Sequence, residues 1–85
     1  MKVAYVQWLD ARGVGRGLPV SQAQKINGLL TNSAGVLIGM DKHAIRLAQD
    51  VYTIDPEEGP IAREIEIIPQ KYVITKQIIE IEGKT

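Results

Sequence analysis

Short apolar segments follow one another along this chain, and glycine or proline bounds most of them, which is typical of β-strands. Residues 2–9, 61–68 and 73–82 are each predicted to form a strand. Both faces of the first segment are apolar, so we expect a central strand there. In the second segment, Ile65 and Ile67 are predicted to face the core, while Glu64 and Glu66 face solvent.

A β-hairpin is predicted over residues 33–49, and the rest of the chain is organised around it. Val36, Leu37 and Ile38 form an apolar run that suits a pleated surface. A tight turn at Asp41-Lys42 then leads into a second strand. A helix is the alternative for residues 43–51, but residues with high β-propensity continue through position 54, which favours a strand.

The other segments complete a predicted small β-fold. Residues 10–19 form a glycine-rich loop, and residues 21–30 are a helix candidate with the capping-box spacing of Ser21 and Gln24. Residues 55–60 form a turn, and residues 69–72 a 3₁₀ turn. This order predicts a mainly β fold, an SH3-like or Sm-like antiparallel barrel of about five strands with one short helix. We expect one domain over residues 1–85.

Composition narrows the function classes. The 85 residues contain ten basic and ten acidic side chains, so no broad charge attracts nucleic acid or an anionic membrane. The absence of cysteine excludes disulfides and thiolate metal sites. No apolar run has the form of a signal peptide or a transmembrane helix, so we expect a soluble, cytoplasmic protein. Small size and apolar strand faces lead us to expect a homo-oligomer.

The glycine-rich loop contains the most suggestive chemistry. Gly13, Gly15 and Gly17 alternate with other residues beside Arg12 and Arg16. Backbone N–H groups freed by glycine, together with arginine forks, can bind a phosphate. A plain surface loop is the alternative interpretation, and it is favoured because no known phosphate-binding motif is complete.

Few other side chains suggest chemistry. Trp8 and Tyr52 could stack on a planar ligand, although core packing is the favoured interpretation for Trp8. His43 is predicted to lie in a solvated turn. The glutamates alternate with isoleucine as a solvated strand face would, with Arg63, Lys71 and Lys76 as cross-strand partners. We find no nucleophile–base pair, and therefore expect neither an enzyme nor a metal or other cofactor.

Four blocks occur in order: WLDA at residues 8–11, SAGVLI at 33–38, IRLAQ at 45–49 and IEIIP at 65–69, followed by IIEI at 78–81. In order and spacing they resemble a group of small proteins encoded by tailed bacteriophages and prophages. The chain departs from that group at Val36, where an aromatic residue is common, and in its glycine–arginine loop, where tryptophan is usual. The resemblance implies host takeover, regulation or counter-defence inside an infected bacterium.

The resemblance suggests one concrete function, sequestration of a cyclic nucleotide signal of bacterial immunity. Such a protein needs phosphate donors and base platforms rather than catalytic groups. The predicted ligand-binding residues are Trp8, Arg12, Gly13, Gly15, Arg16, Gly17, Thr31, Asn32, Ser33 and Tyr52. One alternative is a barrel that binds a host protein through Val3, Tyr5 and Ile78. A nucleic-acid-binding regulator is the other, and zero net charge argues against it.

Overall fold

Five antiparallel strands form one sheet in the computed structural model, which describes residues 1–10, 17, 19–24 and 28–82. The strands are β1 (Lys2–Asp10), β2 (Leu29–Met40), β3 (Ala44–Tyr52), β4 (Ile61–Pro69) and β5 (Val73–Glu80). A four-residue helix, α1 (Val20–Ala23), precedes β2, and a 3₁₀ turn (Gln70–Tyr72) precedes β5. The strand order across the sheet is β4-β3-β2-β1-β5. The predicted mainly β architecture is confirmed.

The side chain of Asp41 stabilises the turn of the β2–β3 hairpin. Its Oδ1 accepts hydrogen bonds from the backbone N–H groups of His43 (2.8 Å) and Ala44 (2.9 Å), and its Oδ2 lies 3.1 Å from Arg46 Nη1. The two backbone N–H groups, followed by the Arg46 guanidinium, lower the pKa of the Asp41 carboxyl. Residues 44–52 are a strand, so the helical alternative is wrong.

The core lies on one face of the sheet, here called the inner face. Two groups of side chains meet there, one from β1 and the other from β3 and β4. The buried cluster comprises Ala4, Val6, Trp8, Ile45, Leu47 and Ile68, with Leu37 and Val73 packed against it. Contact between β1 and the β3–β4 side chains requires the sheet to bend between them, and β2 is the strand that joins the two halves.

The bend in β2 centres on Gly35. Residues 29–36 of β2 pair with β1, whereas residues 36–40 pair with β3. A Cβ atom at Gly35 would lie 2.6 Å from the backbone oxygen of Ala48, too close for any side chain. Glycine therefore permits the two strands to approach closely here, and a bulge between Leu37 and Gly39 follows directly.

The sheet does not close into a barrel, so this part of the prediction is wrong. In the part of the chain that the structure describes, β4 and β5 are the two edges and do not pair with each other. The register shifts at two bulges, one between β1 and β5 and one between β2 and β3. Closure would need curvature and stagger distributed over all the strands.

The predicted helix over residues 21–30 is also wrong in extent. The helix stops at Ala23, its N-cap residue is Pro19, and no side chain caps it, so the capping box of Ser21 does not form. Leu29 and Leu30 instead begin β2, opposite Asp10 and Leu9 of β1. Pairing with β1 provides hydrogen-bond partners for backbone groups of this segment.

The orientation predicted for β4 is reversed. Ile65 and Ile67 are 55% and 62% exposed, whereas Ile68 is fully buried opposite Ile45. Glu66 lies opposite Leu47 and is half-buried. A period of two cannot tell which face is covered, because the partner strand decides that. The 3₁₀ turn after Pro69 is confirmed.

Candidate functional site

Most of the predicted loop site lies outside the described part of the chain. Arg12, Gly13, Gly15 and Arg16 lie outside the described residues, and Gly17 is exposed. In the sequence they follow β1, whose last residue, Asp10, pairs with Leu29.

Trp8 is a core residue rather than an exposed platform. Its side chain is 5% exposed, and its indole N–H donates to the Ser33 hydroxyl at 3.1 Å. The favoured interpretation of Trp8 as core packing is confirmed, so this ring does not present a face for stacking. Ser33 is occupied as the acceptor of that bond, and the Thr31 hydroxyl donates to the Leu29 carbonyl at 2.9 Å.

The opposite face of the sheet, here called the outer face, contains a polar cluster around Asn32. The Asn32 Oδ1 accepts from the Tyr5 hydroxyl at 2.6 Å and lies 3.3 Å from Gln7 Nε2. All three are brought together by the β1–β2 register, in which Gln7 lies opposite Asn32 and Tyr5 is two residues along β1. Gln7 was not predicted as a site residue, because only the strand register shows which side chains it meets.

An apolar groove lies beside this cluster. The outer groove has a volume of about 410 Å³ and is lined chiefly by Val3, Tyr5, Ala34, Val36 and Ile79. The register explains its composition, since Val3 lies opposite both Val36 and Ile79, and Tyr5 lies opposite Ala34. Directly opposed residues share a face, so five apolar side chains from three strands gather here. The Tyr5 ring is 41% exposed at this site.

Tyr52 belongs to another part of the surface. It pairs with Ile61 at the end of the β3–β4 ladder, and its ring is 41% exposed. The Arg63 guanidinium lies 5.9 Å from the ring centroid and forms a two-bond ion pair with Asp50. Hydrogen bonding to Asp50 and the charge of that carboxylate raise the pKa of Arg63. Tyr52 therefore does not join the Asn32 cluster.

The charged side chains form surface contacts. His43 lies exposed in the turn, as predicted for a solvated residue, and its backbone N–H donates to the Asp41 carboxylate. Arg63 pairs with Asp50 rather than a glutamate, and Lys76 Nζ lies 3.4 Å from Gln70 Oε1. Within the described ranges, no group of three or more histidine, aspartate or glutamate residues is placed to hold a metal ion.

No helix in the described part of the chain is both long and apolar enough to cross a membrane. Comparison with models of known protein families, with functionally described proteins and with solved structures found no match to this chain. Its function is therefore inferred from its own residues.

Proposed function

We propose that this chain is a non-enzymatic binding module and that the outer groove is its site. The observation that carries the proposal is the position of the exposed Tyr5 ring. The ring lines an apolar groove, while its hydroxyl bonds to Asn32 at 2.6 Å. A groove of about 410 Å³ lies within the usual size range of small-molecule sites, roughly 300–1,000 Å³.

The ligand class follows from the lining. An apolar floor beside a tyrosine ring suits a flat heterocycle, and the amides of Asn32 and Gln7 suit its polar edge. Arg12 and Arg16 follow β1 in the sequence, and their guanidinium groups suit the phosphates. A nucleotide meets all these requirements. The resemblance to phage proteins favours a host cyclic nucleotide signal, bound and withheld without being cleaved.

The test is a thermal shift with a panel of cyclic dinucleotides and trinucleotides, followed by mass spectrometry of the ligand released on denaturation. We expect a rise in Tm and recovery of intact ligand. Tyr5→Ala is expected to abolish the rise, measured from the variant's own unliganded Tm. Tyr72→Ala is the matched control, because Tyr72 is similarly exposed (36%) but lies in the 3₁₀ turn, outside the groove.

Two results would contradict this proposal. Recovery of cleaved nucleotide would indicate an enzyme. An equal loss of the shift in Tyr5→Ala and Tyr72→Ala would remove the outer groove from the binding site. Arg12→Ala and Arg16→Ala separately test the loop, and an unchanged shift in both would restrict the site to the groove.

A host protein is the second candidate ligand, and the apolar lining of the groove favours it. Its five apolar side chains form the kind of continuous surface that proteins bury on association. If this candidate is right, the immobilised wild-type chain captures one protein from a bacterial lysate in stoichiometric amount. The immobilised Tyr5→Ala variant should not capture it. The cyclic nucleotides would then produce no thermal shift.

The strand order supports an SH3-like or Sm-like topology for this binding module. In such a topology, strands β1 to β4 pair in consecutive order and β5 pairs with β1. Nucleic-acid binding is a common use of small β-folds, but zero net charge argues against it here. Retention on DNA or RNA that falls steeply with salt would support that function instead.

A further inference from the structure

The two edges of the sheet differ in their ability to accept another strand. The β4 edge begins after Pro60 and ends at Pro69, and Glu64 within it has a φ of 57°, where the pairing with β3 is interrupted. Proline and an irregular backbone are features that keep an edge strand from pairing. The β5 edge consists of eight residues without proline or glycine, and in the described part of the chain it pairs only with β1.

The direction of the free backbone groups on β5 follows from one hydrogen-bonded pair. The Ile81 N–H donates to the Met1 carbonyl at 2.8 Å, and the Met1 nitrogen lies 3.3 Å from the Ile81 carbonyl oxygen. Antiparallel ladders alternate between hydrogen-bonded and non-hydrogen-bonded pairs. Ile79 and Gln77 therefore bond to β1, whereas the N–H and C=O groups of residues 76, 78 and 80 point away from the sheet.

This pattern restricts how a second β5 strand could pair. Residues 76, 78 and 80 of each copy present backbone groups that do not bond to β1, so in an antiparallel pairing they lie opposite one another. A two-fold axis at Ile78 places Ile78 opposite its own copy and Lys76 opposite Glu80 of the second copy. Moving the axis to Lys76 would place two lysines opposite each other, and an axis at Gln77 would place Lys76 opposite Ile78.

We propose that two copies of this chain associate through their β5 edges, in antiparallel register with the two-fold axis at Ile78. The pairing forms two symmetric Lys76–Glu80 contacts and one Ile78–Ile78 contact on the inner face. Opposite charges across two strands favour this register, and like charges disfavour the register with its axis at Lys76. The existing contacts of Lys76 with Gln70 and of Glu80 with the N-terminus, both 3.4 Å long and exposed, do not occupy the backbone groups.

This interface is formed by the β5 backbone edges and does not depend on the proposed ligand. The sheets of the two copies would form one continuous ten-stranded sheet, so the two grooves would lie on the same face. Failure of the proposed dimer is distinguishable from failure of the proposed function, because the tests below use no nucleotide and no host protein.

Charge exchange tests the register. We expect sedimentation equilibrium to show a dimer of the wild-type chain. Lys76→Glu is expected to raise the dimer dissociation constant roughly tenfold, because two attractions become two repulsions. The double variant Lys76→Glu/Glu80→Lys restores both pairs and is expected to return the constant to near the wild-type value. A monomeric wild type, or a double variant no tighter than Lys76→Glu alone, would overturn the proposal.

Cysteine cross-linking tests the axis, and the natural chain contains no cysteine to interfere. Across the axis, the two Ile78 Cα atoms would be about 5.5 Å apart, within reach of a disulfide. Ile78→Cys is therefore expected to oxidise to a covalent dimer. Gln77→Cys is the matched control, because in this register Gln77 faces Ile79 rather than its own copy. Efficient linkage of Gln77→Cys, or none of Ile78→Cys, would overturn the proposed axis.

Discussion

The close approach of β2 and β3 at Gly35 makes a sharp prediction about stability. Gly35→Ala would place a methyl group 2.6 Å from the backbone oxygen of Ala48. That oxygen belongs to the main chain and cannot rotate away, so the two strands must separate at the point where the sheet bends. Gly39, four residues further along the same strand, has no atom within 4 Å of an added Cβ, which makes Gly39→Ala the matched control.

The magnitude comes from two opposing effects. Replacing glycine by alanine within a strand gains about 0.5–1 kcal/mol from the reduced freedom of the unfolded chain. Overpacking costs about 1–3 kcal/mol, and a contact with rigid backbone belongs at the upper end of that range. We expect Gly35→Ala to lower the free energy of unfolding by about 2 kcal/mol, and Gly39→Ala to raise it by about 0.5–1 kcal/mol.

Urea and thermal unfolding of both variants, at one protein concentration, measure the difference. For a domain of this size, each 1 kcal/mol moves Tm by about 4–8 °C, so the two variants should differ by at least about 10 °C. The emission of Trp8 reports the transition, because this tryptophan is buried in the folded chain. Equal stability of the two variants would refute the close approach at Gly35 and with it the bend of β2.

Three further predictions concern the turn, the core and the β4 face. The pKa of Asp41 is lowered in the fold, so its carboxylate stabilises the fold above about pH 4, and this effect is lost as pH falls through the folded-state pKa. Asp41→Asn should therefore lose less Tm than the wild type between pH 6 and pH 2.5. An equal loss would contradict this. Ser33→Ala should cost about 1 kcal/mol by removing the acceptor of the Trp8 indole N–H, and a double-mutant cycle with Trp8→Phe should show that the two losses are not additive. Ile68→Ala should cost about 2–5 kcal/mol because the side chain is fully buried. Ile67→Ala, at an exposed neighbouring position, should change stability by less than about 0.5 kcal/mol. Comparable losses of stability in urea unfolding would contradict the faces assigned to β4.

Local sequence was sufficient for the elements whose signals are local. The turn at Asp41 follows from a short side chain that bonds the N–H groups two and three residues ahead. The end of β4 follows from Pro69, which cannot extend a ladder, and the 3₁₀ turn comes directly after it. The core position of Trp8 follows from its place among Ala4 and Val6 at alternate positions.

The candidate site was predictable only in part. Tyr5 and Val3 were predicted as contact residues in the protein-binding alternative, and both line the outer groove. The contacts of Asn32 with Tyr5 and Gln7 span 25 or more positions along the chain, and no local pattern specifies that register. The hydrogen bonds of the Thr31 and Ser33 hydroxyl groups within the fold were likewise not predicted, and the binding roles of these residues stay predictions.

Alternation, proline and glycine act within a few residues, so local patterns are enough to specify a set of short antiparallel strands. Long-range pairing fixes which isoleucines are buried, places Leu29 and Leu30 in β2, and leaves the sheet open. Those outcomes depend on pairing between distant strands, and a strand with apolar residues on both faces satisfies its local pattern in either orientation.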